Sequence, residues 1–241
     1  MVSLYYLYLV IDYLRSKISL LVIIMNKKDR AKIIKKRLDE LYPNPAIPLD
    51  HKDEFTLLVS VILSAQSTDK KVNELTPVLF KLADNPHSMS NLSEFEIYSA
   101  IKHLGLSKTK SINIKRMSQA LVEKHNGKVP STFDELEALA GVGHKTASVL
   151  MSQAFGIPAF PIDTHIHRLA QRWGLTSGIN VKQTEKDLKA LFPEASWNKL
   201  HIQIILYGRE KCTAKSCYGL TCQICREIYP KRTKQLIHSK A

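Results

Sequence analysis

From Met25 onward the apolar residues recur at helical spacing and almost never alternate. Ile33, Ile34, Leu38 and Leu41 fall on one face of a predicted helix over 27–41. Pro43, Pro45 and Pro48 end it. Residues 54–65, EFTLLVSVILSA, are apolar almost throughout. Val and Ile favour strands, but the length of this run and the polar QSTDKKVNELTPVLF after it favour helices. Further helices are predicted over 93–102, 111–125, 132–140, 144–155, 164–173, 182–191 and 196–208. Between them stand Gly105, Asn126-Gly127, Gly141, Gly143, Gly156, Pro158, Pro161 and Gly174. The chain shows no persistent strand pattern, internal repeat or low-complexity tract. The pattern predicts an all-α protein.

Residues 1–24 depart from this pattern. They are apolar, but Asp12, Arg15 and Lys17 interrupt them. A spanning helix needs about 20 consecutive apolar residues, and a secretory signal needs a basic start and a small-residue cleavage site. Neither is present. MNKKDRAKIIKKRLDELYPNP reads as an ordinary soluble start. Met25 is therefore expected to be the initiator, 1–24 a non-native or dispensable extension, and the protein cytoplasmic with no membrane partner.

Charge narrows the function. In 241 residues, 35 basic side chains face 22 acidic ones, for a net charge of +13. Such a chain is drawn to polyanions, nucleic acid first among them. The four cysteines all fall between Cys212 and Cys225. That clustering suggests a metal or iron–sulfur site rather than secreted disulfides.

Residues 136–150 read LEALAGVGHKTASVL. One helix ends near Ala140, Gly141-Val142-Gly143 turn tightly, and a second helix opens at His144. Glycines permit positive φ and clear side chains from the turn. The amides of such a hairpin and of the following helix N-terminus make a phosphate site. A plain αα-corner would look similar. Lys145 in the first turn changes the balance, because a cation there opposes the helix dipole. The dipole and any burial disfavour the charged form, and only the neutral amine attacks carbon. The competing reading is a phosphate-contacting cation. Asp163, in FPIDTHIHRLAQRWGL, is placed to N-cap the next helix. A carboxylate held that way can also take a proton from a nearby amine or stabilise a sugar cation.

LAGVGHKTASVL followed by PIDTHIHRL resembles the helix–hairpin–helix–Gly/Pro–Asp superfamily of DNA glycosylases. A lysine at 145, rather than tyrosine or serine, is similar to its endonuclease III family. The likeness extends from Met25 to about Tyr229 and includes LLVSVILSAQSTDKKVN and GLSKTKSINI. Ala140 and His144 depart from it, where proline and arginine are usual. The resemblance implies a bifunctional glycosylase and abasic-site lyase acting on oxidised pyrimidines in duplex DNA. Lys145 would attack C1′ and form a Schiff base, and Asp163 would activate it. Gly141, Val142, Gly143 and His144 would meet the DNA backbone. Gln66 and Leu106 would fill and wedge the duplex after the nucleotide rotates out, which costs a few kcal/mol. Asp69, Glu137 and His165 match pocket positions, although each also suits a capping, core or solvated role.

Cys212, Cys217, Cys222 and Cys225 are spaced C-x4-C-x4-C-x2-C amid Arg209, Lys211, Lys215, Arg226, Lys231 and Arg232. That basic field favours thiolates. The family carries C-x6-C-x2-C-x5-C around a [4Fe–4S] cluster. If Cys222 and Cys225 are its middle pair, the fourth position falls on Lys231. A [4Fe–4S] cluster in a rearranged loop, a [2Fe–2S] centre and a four-thiolate zinc site all stay open, with the first favoured.

The expected architecture is two helical lobes with a DNA groove between them. A helical domain over 46–156 is inserted between 25–45 and the cluster-bearing 157–241. A monomer acting on double-stranded DNA with damaged bases or abasic sites is expected. The rivals are a non-catalytic DNA-binding module and a related glycosylase with another lesion preference.

Overall fold

The computed structural model describes residues 25–237, and every regular element among them is helical. The expectation for 1–24 lies outside the described residues. No helix among them is long and apolar enough to cross a membrane.

The apolar run after Asp53 is a helix, α2 (Glu54–Ser64), for a local reason. Asp53 and Thr56 cap its start reciprocally, each side chain meeting the other's backbone amide. Its all-round apolar surface is then buried from Phe55 to Leu63. α1 (Lys27–Leu41) lies before it. α3 (Asp69–Leu82), capped by Thr68, follows. α4 (Pro86–Asn91) is a short element that periodicity did not reveal, set by the Asn85 cap and a proline at its first position. α5 (Glu94–Ile101) has a Ser93–Glu96 capping box. α6 (Ser107–His125) begins four residues before the predicted start. α7 (Phe133–Glu137) is shorter than its predicted span. α8 (His144–Gln153), α9 (Thr164–Arg172), α10 (Val181–Leu191) and α11 (Trp197–Glu210) follow. A second unforeseen helix, α12 (Gln223–Ile228), lies within the cysteine region.

The buried apolar side chains form two clusters. One runs from Leu49 to Ala159, built on α2–α8. The other joins Ala31, Ile34 and Leu38 of α1 to residues from Phe160 to Ile228. Polar contacts tie α1 to this second lobe. Gln203 on α11 donates to Asp39 Oδ1 at 3.0 Å and to the Tyr42 carbonyl at 2.9 Å. Arg37 grips Glu227 of α12 in a fork, at 2.7 and 3.0 Å. Between the lobes, Asn198 donates to the Ser152 carbonyl at 3.0 Å and accepts from the Ala159 amide at 3.1 Å.

Candidate active site and cysteine centre

The hairpin between α7 and α8 uses its two glycines differently. Gly141 has φ of 80°, and a Cβ there would lie 3.0 Å from Asn113 Cβ, so the turn itself requires glycine. Gly143 N-caps α8 with extended backbone, and a Cβ there would meet nothing within 4 Å. Its missing side chain clears the outer surface instead. Val142 is buried and anchors the turn, while Gly141, Gly143, His144 and Lys145 are exposed. No side chain caps the first turn of α8. Its leading amides and the positive end of its dipole are left to solvent.

Lys145 and Asp163 line a single cavity of about 90 Å³, shared with Asp69, Gln153, His201 and Arg209. α8 supplies the lysine from its exposed first turn, so the helix end rather than burial defines its surroundings. Asp163 is half-buried. Its Oδ1 accepts the Ile166 amide at 2.7 Å, the expected cap of α9. This fixes the carboxylate and leaves Oδ2 for chemistry. Asp69, the first residue of α3, faces Arg209 of α11 across the lobes, Nη1 to Oδ2 at 2.7 Å. The contact is one of charge, since the N–H is not aligned for a hydrogen bond.

His201 is a lining residue the sequence reading missed. It is 3% exposed, and its Nδ1 has no hydrogen-bond partner among the described residues. Burial pushes its pKa down to about 4, Asp163 opposing and Lys145 reinforcing the shift. The ring is therefore neutral near pH 7. A signal existed: His201, Ile205 and Arg209 recur every fourth residue and so share a face of α11.

Two expected pocket residues stand elsewhere. Glu137 is exposed and meets His144 Nδ1 at 2.8 Å. His144 also stacks on Phe133, centroids 5.5 Å apart, and reaches Glu185 of α10 at 3.5 Å. His165 is half-buried against Gly208 and Arg168. Burial lowers its pKa, with Asp163 pulling the other way. Gln66 and Leu106 are both exposed, and both hold left-handed backbone, φ 54° and 58°. Their loops touch: a Cβ on Gly105 would lie 3.2 Å from the Gln66 carbonyl oxygen.

The four cysteines are buried, with their sulfurs all within 4.8 Å of one another. Arg172, fully buried, clamps their loop. It donates to Cys212 Sγ at 3.4 Å and to the carbonyls of Thr213 at 2.7 Å and Ala214 at 3.1 Å. The Cys222 amide lies 3.4 Å from Cys217 Sγ. Tyr218 and Gly219, both at positive φ, turn the chain just after Cys217. Four buried thiols this close cannot all ionise without a cation, so the donor set fits a thiolate-bound metal centre. Registered on Cys212, the family spacing falls on Gly219, Cys222 and Ile228. Cys217 and Cys225 then stand two and three residues early. With Cys222 and Cys225 as the middle pair instead, Cys217 is the extra thiol and the fourth position is Lys231.

Residues 59–194 match the model of the HhH-GPD superfamily base excision DNA repair proteins. The chain is 42% identical over 191 residues to endonuclease III of Haemophilus influenzae, a match covering 79% of this chain and 90% of that protein. It is similar to the endonuclease III solved in a non-covalent complex with DNA, with a TM-score of 0.80 and 36% identity. That match covers 86% of this chain and 99% of the other. It is equally similar to a trapped endonuclease III–DNA covalent intermediate, with a TM-score of 0.79, 36% identity and the same coverage of both chains. The chain belongs to the endonuclease III family of the HhH-GPD superfamily.

Proposed function

We propose that this chain is a DNA glycosylase with abasic-site lyase activity that removes oxidised pyrimidines in base excision repair. The observation that carries the reading is one cavity holding both Lys145 and Asp163, beside a hairpin with uncapped amides. The hairpin at Gly141–His144 grips a backbone phosphate, and Gly143 lets it approach closely. Gln66 and Leu106 occupy the duplex after the damaged nucleotide swings out. A cavity of about 90 Å³ holds roughly three waters, not a nucleotide. The sugar therefore meets Lys145 from the open side, where the lysine is exposed.

There Asp163 takes a proton from the Lys145 ammonium, and the freed amine attacks C1′. The damaged base leaves with the glycosidic bond's electron pair. Asp163 passes its proton to that base, takes one from the attached amine and gives it to O4′ as the C1′–O4′ bond opens to the protonated imine. The imine acidifies the C2′ hydrogen, whose loss expels the 3′ phosphate by β-elimination. Water then hydrolyses the imine and returns the lysine. The steps use groups of the chain, the substrate and one water.

We assign the four cysteines to a [4Fe–4S] cluster, on the family resemblance and the closeness of four buried thiols. When bound, the cluster supplies a cationic core that the thiolates neutralise. Its role is to fold the 212–225 loop and the basic residues that flank it, Arg209, Lys211 and Arg226 among them. A second reading is zinc. Thiolates at about 2.3 Å from zinc stand about 3.8 Å apart, and the separations here stay within 4.8 Å. Iron, sulfide and zinc analysis with visible absorbance separates the two. The protein acts as a cytoplasmic monomer on duplex DNA, with a 46–156 domain inserted between 25–45 and 157–241.

Borohydride trapping on a duplex with one oxidised pyrimidine tests the mechanism. The wild type yields a covalent protein–DNA adduct and Lys145→Gln yields none. A folded, DNA-binding wild type that traps on neither this duplex nor an abasic one overturns the lyase and leaves a binding module or a monofunctional glycosylase.

A further inference from the structure

Lys110 is a buried lysine outside the cavity and without a part in the chemistry above. It is 3% exposed, an unusual place for an ammonium unless its partners require it. Those partners are specific. α2 ends in a tightened turn in which the Ser67 amide donates to the Ser64 carbonyl at 3.0 Å. The Leu63 carbonyl is thereby denied the amide a continuing helix would give it. Lys110 Nζ supplies the missing donor at 2.9 Å and reaches Ser67 Oγ at 3.1 Å. Its charge also suits the C-terminal end of α2. The same residue's amide donates to the Leu106 carbonyl at 2.9 Å, opening α6.

Lys110 therefore holds the turn that displays Gln66 and the turn that displays Leu106. Both displayed residues carry a left-handed backbone, a strained state for a side chain with a Cβ. Strain of this kind persists only where surroundings over-determine it. A residue entering a duplex gains most if its shape is fixed beforehand, because ordering it on binding would cost part of the contact energy.

We propose that Lys110 is a positioning residue that locks the Gln66 and Leu106 turns into one preorganised element for entering the duplex. This rests on the glycosylase reading and on the insertion role of those two residues.

The test compares wild type, Lys110→Met, Lys110→Arg and Ser67→Ala on two substrates. One is a duplex with a paired oxidised pyrimidine, which demands extrusion. The other is an abasic site in single-stranded DNA, which does not. Thermal midpoints and 2-aminopurine fluorescence beside the lesion are read in parallel. Lys110→Met is expected to slow single-turnover cleavage of the duplex at least 10-fold, with loss of the extrusion signal. Trapping on the single strand should stay within 3-fold, and Lys110→Arg should recover part of the duplex rate. Ser67→Ala removes one of the two contacts and should give a smaller loss of the same kind, which decides the matter if Lys110→Met does not fold. Equal losses on both substrates, or no loss on either, overturn the proposal. Failure of the wild type to trap on both would instead overturn the lyase itself. Equal losses for Gln66→Ala on the two substrates would remove the insertion role.

Discussion

Arg209 and Asp69 come from different lobes, stand 2.7 Å apart, and both line the cavity that holds Lys145. The contact is a strut across the substrate opening. Their side chains are 39% and 17% exposed, so water screens the pair and its coupling is about 0.5–1 kcal/mol. A double-mutant cycle with Arg209→Met and Asp69→Asn, followed by urea unfolding, should return a coupling of that size. Strictly additive losses would show that the strut carries no energy.

Asp163 serves two purposes that substitutions can separate. Asn keeps the cap on the Ile166 amide but loses the charge, and Ala loses both. Asp163→Asn should stay within a few tenths of a kcal/mol of wild type, and Asp163→Ala should lose about 1 kcal/mol. Both should abolish borohydride trapping. Trapping by Asp163→Asn at the wild-type rate would reduce this residue to a cap.

The two hairpin glycines should fail in opposite ways. Gly141→Ala forces a side chain into positive φ against Asn113, and should cost about 1–2 kcal/mol of stability. Gly143→Ala meets open space within the protein. Its thermal midpoint should be unmoved while its affinity for an abasic duplex falls. Unchanged affinity would mean that no phosphate approaches that close.

His201 predicts a pH dependence. Its folded pKa is lowered from 6.5 to about 4, so the unfolded chain takes the proton first. Stability is full above pH 6.5 and falls progressively toward pH 4, by on the order of 2–3 kcal/mol from this residue alone. His165 is lowered too and adds in the same direction. Urea midpoints across that window should drop less steeply in His201→Leu. An unchanged slope would show that His201 takes no part in the linkage.

The all-helical fold was legible because apolar spacing from Met25 onward is helical nearly everywhere. The elements that escaped were held by caps and turns rather than by periodicity. α4 is six residues long and rests on Asn85 and Pro86, and α12 lies among cysteines. That Lys145 and Asp163 would line one cavity was readable because each sits at a helix start with a local signature. His201 was not, since a histidine among Leu200, Ile202 and Ile204 reads as core until the other lobe is placed against it. Glu137 is exposed beside His144, in line with the solvated role its sequence position also allowed. The cysteine register was ambiguous in sequence, and the structure adds that all four thiols converge.

α1 is made first, yet Gln203, 164 residues away from its partner Asp39, is among the residues that hold it. A ribosome must release nearly the whole chain before this contact can form. The cluster of α2–α8 draws its apolar residues from Ile47 to Ala159, and so can condense while synthesis continues. Lys145 and Asp163 are thus both made early, but the α11 wall with His201 and Arg209 reaches their cavity late. A chain that stops short of α11 would carry Lys145 and Asp163 but leave their cavity without its His201 and Arg209 side. Chain order in this way leaves the cavity unwalled until the second lobe is made.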